Sequence, residues 1–392
     1  MTSRERVRAA LSHEQPDRVP LDLGGSLVTS IAIPAYTALR AHLGLPAGPV
    51  EPLNEADGVA QVDEDCMEAL GLDVVPVFPS RPDATREGGE DGRGSWYRDP
   101  FGATLVRPPG GYSYDYVEFP LTAPEASITD LDSIRWESLV DPGYYRGVRA
   151  KALALHERTS CALFGMAPNG HDLLNRWFRL RGMEQGLVDL AVNRDLAEAF
   201  FERFTLSICA SQSLFLAEAG DMLDVHFLGD DFGAQAGPLV SPSFLREVIF
   251  PRWARIVRAV KSATRAKVFF HSCGAVAEFI PDLIEMGIDI LNPVQVTCEG
   301  MDTAALKAAW GRNICFWGGG VDTQSVLAGG SPADVRAEVR RRMGELAPGG
   351  GFVFTPVHNI LPNVPAENVA AAYDEARRFS AASAGGAEGA RA

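Results

Sequence analysis

Eight short apolar runs, separated by segments with helical periodicity, constrain the fold of this 392-residue chain more than any other feature. Each run is followed by a polar or glycine-rich turn, as strands of alternating β/α units are. Near-continuous apolar runs are typical of parallel strands that are covered on both faces. The runs occupy residues 19–23, 73–78, 162–166, 222–228, 267–270, 288–291, 314–317 and 352–354. Eight such units predict an α/β fold, a single (β/α)8 (TIM) barrel.

The remaining segments fit around this barrel. Residues 2–13 are charged and amphipathic and predict an N-terminal helix that caps the lower end of the barrel. Residues 83–135 contain glycine-rich turns and aromatic stretches, which predict a β-hairpin insertion between strands 2 and 3. A helix is expected over 183–220. We expect the barrel to span 1–380 and the small-residue tail 381–392 to be disordered.

Composition excludes several classes of partner. The formal net charge of −15 disfavours nucleic acid and anionic membranes, since both are bound by clustered Lys and Arg. The six cysteines are scattered and favour a reducing compartment over a secreted disulfide scaffold. No apolar run approaches the ~18 residues of a membrane span. Because the N-terminal stretch also lacks the pattern of a signal peptide, we expect a cytoplasmic protein.

The strongest chemical signal is the motif FFHSCG at 269–274, where an apolar strand ends in His271 and continues to Cys273. Two residues apart on an extended segment, an imidazole and a thiol project the same way, as two ligands of one zinc ion should. In a barrel, catalytic groups come from the strand ends and the loops after them. A capped turn with a small buried thiol is the alternative interpretation of the same residues.

A third metal ligand must come from elsewhere in the chain. His358, after the eighth run, is the best candidate. Three protein ligands with an open fourth position would make a catalytic rather than a structural zinc site. Candidates for a fourth ligand are Asp230, Asp231 and Cys298.

Four further side chains at strand exits are candidate catalytic groups. Asp230 and Asp231 follow the fourth run directly, where paired carboxylates bind a cation, act as acid or base, or simply form a turn. His171 follows the third run; its alternative interpretation is a helix start in which Asp172 favours the helix dipole. Asp22 lies at the first exit.

Polar side chains at other exits are the candidates for binding a substrate. They are expected to line the mouth of the barrel, because the carboxyl ends of all eight strands meet there. These residues are Asn169, Asn292, Gln295, Asp322, Gln324 and Asn359.

Together these motifs resemble the uroporphyrinogen decarboxylase superfamily, and within it the methyltransferase branch that works with corrinoid proteins. The resemblance covers nearly the whole chain and implies a single (β/α)8 barrel. It rests on RERVRAALSHEQPDRVPLDLGG at the start, GDDFGAQAGPLVSP, HSCG, ILNPVQ, WGGGVDTQ and the closing HNILPNVPAENV.

The resemblance also distinguishes the two branches. Porphyrin decarboxylases carry an arginine-rich RQAGRY motif near the first strand, where this chain has PLDLGG, which argues against porphyrin decarboxylation. The corrinoid branch holds zinc through an HxC motif and a later cysteine. His271 and Cys273 match the HxC motif, whereas His358 stands where the cysteine is expected. Two nitrogens and one sulfur remain a reasonable ligand set for zinc, and other divalent ions are harder to exclude.

Taken with the candidate metal ligands, the resemblance implies a zinc-dependent methyltransferase. It would move a methyl group between a corrinoid (methylcobalamin) on a partner protein, since no corrinoid-binding segment is evident here, and a small thiol, folate or methoxylated compound. The alternative enzyme is a lyase that decarboxylates a smaller carboxylic acid, with Asp22 or Asp230 directing the proton. A barrel kept for binding or assembly is the non-enzymatic alternative. A homodimer is compatible with the sequence, which does not fix the oligomeric state.

Overall fold

A computed structural model of the protein describes residues 1–79, 87–168 and 171–379. Within these ranges the strands are β1 (Pro52–Asn54), β2 (Val59–Ala60), β3 (Val74–Val77), β4 (Gly88–Asp91), β5 (Gly94–Arg98), β6 (Thr104–Arg107), β7 (Asp115–Glu118), β8 (Ala162–Gly165), β9 (Val225–Gly229), β10 (Gly233–Ala234), β11 (Gly237–Pro238), β12 (Lys267–His271), β13 (Ile290–Asn292), β14 (Cys315–Trp317) and β15 (Phe352–Val353).

Helices connect the strands and surround the sheet. In the same ranges they are α1 (Ser3–Leu11), α2 (Ile33–His42), α3 (Glu64–Leu70), α4 (Val148–Arg158), α5 (Leu173–Arg181), α6 (Met183–Val192), α7 (Arg194–Ala219), α8 (Pro242–Phe244), α9 (Phe250–Ala263), α10 (Ile280–Met286), α11 (Thr303–Trp310), α12 (Val326–Gly329), α13 (Pro332–Leu346) and α14 (Ala366–Arg378). A π-helical turn (Leu245–Ile249) joins α8 to α9.

Seven parallel strands form the central sheet in the order β15-β14-β13-β12-β9-β8-β3. The eighth position is taken by the first apolar run. Leu21 forms a parallel bridge with Phe354 on one side, and its carbonyl accepts a hydrogen bond from Asp73 N on the other. This run contributes a single bridge rather than a strand, and Pro20 within it has no N–H to donate. The predicted (β/α)8 barrel is confirmed.

Apolar side chains fill the inside of the barrel. Phe164, Phe227, Phe269 and Trp317 belong to one buried cluster contributed by different strands. The rings of Phe164 and Phe269 lie 4.9 Å apart, and Trp317 contacts both at 5.6 Å between centroids. The inside of the barrel is therefore packed with side chains and is not a pore. A small molecule can bind only at one of its ends.

Helix α1 lies at the amino ends of the strands. Its Val7 and Leu11 join the inner cluster. Its Arg6 forms an ion pair with Asp73, just before β3, and Arg8 pairs with Asp224, just before β9. This packing occupies the end of the barrel opposite the carboxyl ends of the strands.

Between β3 and β8 the chain forms a separate four-stranded antiparallel sheet, in the order β4-β5-β6-β7. Its β7 carries Tyr116, whose ring lies against Arg179 of α5. The sheet thus contacts the first helix after β8. The boundaries 83–135 predicted for an insertion begin outside the described residues, and those boundaries stay a prediction.

The helix predicted over 183–220 is two helices. Asn193, with φ of −131° and ψ of 48°, separates α6 from α7, because these values are incompatible with a continuous α-helix. The predicted tail 381–392 lies outside the described residues. Among the described helices, none combines the length and apolar character needed to cross a membrane.

Candidate metal centre

Three side chains with metal-binding atoms meet above the carboxyl ends of the strands. His271 ends β12, Cys273 follows two residues later, and His358 lies in the loop after β15. One ligand atom from each residue lies within 4.8 Å of the others. The sulfur of Cys273 is 3.3 Å from Nε2 of His271, and the rings of His271 and His358 are 5.4 Å apart. The structure brings the three predicted ligands together.

The state of these groups fits a divalent cation. Burial, followed by the neighbouring His271, lowers the pKa of His358 to about 4, so its imidazole is neutral at pH 7, the state that metal binding requires. Its Nδ1 accepts from Asn359 N at 2.8 Å, and binding of a metal through Nδ1 would change this contact. Burial raises the pKa of the Cys273 thiol well above its usual value, and the Asp231 carboxylate adds to this shift. A thiolate in this place therefore needs a positive charge beside it, which a bound divalent ion would supply.

Asn292 fixes the orientation of His271. Nδ1 of His271 is 2.6 Å from Oδ1 of Asn292, while Nδ2 of Asn292 donates to the carbonyl of Trp317 at 2.8 Å. Because the amide nitrogen faces a carbonyl, the amide oxygen must face the imidazole, which then carries its proton on Nδ1. Nε2 of His271 is left with a lone pair directed at Cys273.

The loop that carries Cys273 is held by neighbouring strand exits. Its backbone N–H donates to Oδ1 of Asp231 at 2.8 Å, and the next N–H, of Gly274, donates to Oε1 of Gln295 at 2.8 Å. Gly274 has φ of +92°, and its Cα lies against the backbone of Gly233, where a side chain would collide. A glycine is required at this position, since both the conformation and the space exclude a Cβ.

The two adjacent carboxylates have different surroundings. Oδ1 of Asp231 lies 3.8 Å from Nε2 of His271, so Asp231 borders the metal centre. Asp230 is buried and accepts from the N–H groups of Leu174 and Asn175, at the start of α5. It also accepts from Nε1 of Trp253. Burial, with the nearby Asp172 carboxylate, raises the pKa of Asp230 well above its usual value. Asp230 thus caps the start of α5, whereas Asp231 is partly exposed beside the metal ligands.

Asp22 is fully buried below the mouth. Its carboxylate accepts from Nε1 of Trp317 at 2.8 Å and from Gly25 N at 2.8 Å. Burial raises its pKa to about 6. These contacts give Asp22 a role in holding the first exit against the inner core.

A second polar group lies beside the metal centre. Asp172 accepts from Nη1 of Arg179 at 2.5 Å and lies 2.9 Å from Nδ1 of His171. The ring of His171 stands edge-on to Phe227 of the inner cluster, 5.7 Å between centroids. The sequence prediction missed Arg179. A signal was present, because seven residues, about two helical turns, separate Arg179 from Asp172 at the start of α5.

Two of the predicted substrate-binding residues hold the loop after β14. Asp322 accepts from the backbone N–H groups of Gln324 at 2.9 Å and Ser325 at 3.0 Å. Oε1 of Gln324 accepts from the hydroxyl of Thr297 at 3.2 Å. Asp322 thus binds backbone N–H groups of its own loop, whereas Gln324 binds a side chain of the loop after β13.

Asn359 also serves the backbone. Its Oδ1 accepts from Ser30 N at 2.7 Å, and its Nδ2 donates to the Leu27 carbonyl at 2.8 Å. These bonds tie the last exit to the first. Asn169, another predicted substrate-binding residue, lies outside the described residues.

Cys298, predicted as a fourth ligand, lies outside the trio. Its thiol is 3.5 Å from Oε1 of Gln235, and the group of described side chains that could share one ion consists of His271, Cys273 and His358. This trio leaves room in the coordination sphere for a small molecule, as a catalytic site requires.

Comparison with known proteins places the chain in a family. Among solved structures, a methyltransferase from Methanosarcina mazei matches 97% of this chain and 99% of its own, with a TM-score of 0.60 and 19% sequence identity. At that identity the likeness concerns the fold. No curated protein matches the sequence significantly. The family model described as uroporphyrinogen decarboxylase (URO-D) matches residues 180–379, just over half of the chain. The chain belongs to the uroporphyrinogen decarboxylase family.

Proposed function

We propose that the protein is a zinc-dependent methyltransferase, which moves a methyl group between a corrinoid on a partner protein and a small thiol, folate or methoxylated compound. The observation that carries this proposal is the convergence of His271, Cys273 and His358 at the mouth of the barrel. The fold shared with a methyltransferase from Methanosarcina mazei supports the same reaction class. The scattered cysteines favour a cytoplasmic location.

Two groups absent from the chain would supply the central chemistry. A zinc ion on the three ligands would lower the pKa of a thiol or polarise a methyl ether oxygen. The corrinoid would carry the methyl group and would arrive from the side of the barrel where the three ligands lie.

The chain's own residues would bind, orient and move protons. Asn292 presents the lone pair of His271 to the centre, as its two hydrogen bonds indicate. Asp231 is the candidate proton acceptor, because it borders the ligand atoms and its side chain is 32% exposed. A proton taken from an acceptor thiol can therefore pass from Asp231 to water. Asp230 and Asp22 would act through position, since both carboxylates are buried as well as engaged by N–H donors. Asp231 also accepts from Cys273 N and from Nδ2 of Asn175, but its side chain remains partly exposed.

Measuring the metal content of purified protein tests the centre. The wild-type chain should hold a single zinc ion, and His271→Ala, Cys273→Ala and His358→Ala should each lose it, because two ligands hold zinc weakly. Exposed His42 and half-buried Cys209 provide matched controls whose alanine variants should keep the metal. Metal content that is unchanged in the three ligand variants would exclude this centre.

Demethylation of methylcobalamin, followed by its absorption spectrum, tests the transfer. Loss of the methyl group should require zinc together with an acceptor from a panel of thiols and tetrahydrofolate. For the reverse direction, methoxylated compounds are supplied with the reduced corrinoid. If no compound supports transfer and a carboxylic acid loses carbon dioxide without metal, the lyase alternative replaces this proposal.

A further inference from the structure

A guanidinium with unused donors lies on α5, the helix whose Asn175 donates to Asp231 beside the candidate metal centre. Arg179 donates through Nη1 to Asp172, and its side chain, 32% exposed, packs on the ring of Tyr116 at 5.1 Å. Its Nε and Nη2 donate to no acceptor among the described residues. An arginine fork in a cleft with one edge unused is suited to bind an anion.

The position of this group relative to the metal centre follows from its partners. Asp172 takes a left-handed conformation, with φ of 68°, which Asp and Asn adopt more readily than other non-glycine residues. Its backbone N–H donates to the carbonyl of Gly229, at the end of β9. On α5, Asn175 precedes Arg179 by four residues and donates through Nδ2 to Asp231 at 3.0 Å, and Asp231 lies 3.8 Å from Nε2 of His271. Because residues four apart share one face of a helix, Arg179 lies on the face of α5 that borders the centre.

The surroundings also select the kind of anion. Asp172, Asp57 and Asp231 are all carboxylates near Arg179, so a doubly charged phosphate would meet strong repulsion. A singly charged, planar carboxylate matches the two parallel donors Nε and Nη2 in the bidentate arrangement. A neutral ligand would leave these donors without a charged partner.

We propose that Arg179 is a carboxylate-binding residue that selects small acids as the methyl acceptor or donor. This inference rests on the proposed function and narrows its substrate class. One end of the molecule, a thiol or a methoxy group, reaches the centre of His271, Cys273 and His358. The other end, a carboxylate, binds the unused edge of Arg179.

A pair of thiols that differ only in charge tests the subsite. 3-Mercaptopropionate and 3-mercaptopropionamide are titrated into protein that carries cobalt(II) as an optical probe, and the sulfur-to-cobalt band reports binding. In wild type the acid should bind at least about tenfold more tightly than the amide. Arg179→Gln should abolish this preference, and Arg179→Lys, which keeps the charge but loses the fork, should reduce it. Arg203→Gln, which removes an arginine paired with Asp132 on the outer surface, should leave it unchanged.

A second pair distinguishes a methoxy acid from a thiol acid. 4-Methoxybenzoate and 4-methoxybenzamide are compared by calorimetry with the same variants, after circular dichroism has shown that each variant is folded. A preference for the acid over the amide that depends on Arg179, in either pair, supports the subsite. The pair that shows this preference tells whether the bound acid carries a thiol or a methoxy group. Equal affinities within both pairs, or a preference that survives in Arg179→Gln, overturn it.

The two proposals fail in different ways. If the cobalt band appears with both thiols at equal affinity, the subsite is wrong while metal-assisted thiol chemistry stands. If no thiol produces the band but 4-methoxybenzoate binds through Arg179, the subsite stands and the thiol acceptor is excluded.

Discussion

The contacts of single side chains at the mouth determine which groups are available to a ligand. Asn292 lies at the end of β13 and is fully buried, yet neither of its polar atoms faces the cavity. One orients His271 and the other is held by the Trp317 carbonyl. Asn292 was expected to bind substrate, but both of its polar atoms are used within the protein, one of them to orient a metal ligand.

Removing this contact should weaken metal binding without removing a ligand. In Asn292→Ala the ring of His271 can rotate, and its proton can move to Nε2. We expect the zinc affinity to fall by about 10- to 100-fold, as for other partners of metal-bound histidine. Competition with a chromophoric chelator measures this. Asn368→Ala removes a buried amide that donates only to the carbonyls of Leu327 and Gly330. This variant should keep wild-type affinity, and equal affinity in both variants would contradict the assignment.

Asp22 should make stability depend on pH. Its pKa is raised from 3.8 to about 6 in the folded chain, so the folded state holds the proton more tightly. This contribution is fully present below the unfolded value and is lost as the pH rises through about 6, a change of about 3 kcal/mol. Urea unfolding of wild type and Asp22→Asn across this range measures it. Parallel stability curves for the two proteins would show that Asp22 does not titrate in this way.

Sequence identified which residue types stand at the exits but not where their side chains point. His271, Cys273 and His358 were predicted as a set, because an HxC spacing on a strand end and a histidine at another exit suffice for that. Asp322 and Asn359 were equally polar and equally placed, and they bind backbone groups. Only the three-dimensional course of the loops decides which polar atoms remain free.

The loop after β9 supports both the start of α5 and the loop that carries Cys273. Asp230 caps α5 with its carboxylate, and the adjacent Asp231 holds the N–H of Cys273. A single dipeptide thus fixes a helix start and the metal-binding loop. Periodicity could not predict this division, just as it could not predict that Asn193 separates α6 from α7, since both depend on contacts distant in sequence.

The two carboxylates should therefore respond differently to substitution. Asp230→Ala leaves the N–H groups of Leu174 and Asn175 and Nε1 of Trp253 without an acceptor in a buried place. Its free energy of unfolding should fall by about 2–3 kcal/mol. Asp231→Ala should cost less stability and affect methyl transfer more, because Asp231 borders the cavity. Urea unfolding and the methylcobalamin assay on both variants test this. Equal losses of stability would contradict it.

Closure of the barrel depends on polar contacts at the amino ends of its strands. On one side, the first run forms a single bridge to the residue after β15. On its other side, contacts other than strand pairing must hold it against β3. Asp73 supplies them, since its buried carboxylate accepts from Leu21 N and from both Arg6 and Arg18. The eight apolar runs predicted the ring, but not that charged groups would secure its weakest joint.

Loss of the Asp73 carboxylate should destabilise the whole barrel. In Asp73→Ala the guanidinium of Arg6 loses a buried partner and the first run loses its link to β3, so the free energy of unfolding should fall by about 3–5 kcal/mol. Asp17 pairs with the same Arg6 but its side chain is 42% exposed. Asp17→Ala should therefore cost no more than about 1 kcal/mol. Urea denaturation of both variants gives the comparison. A similar, small loss in each would mean that the ring closes through its apolar contacts alone.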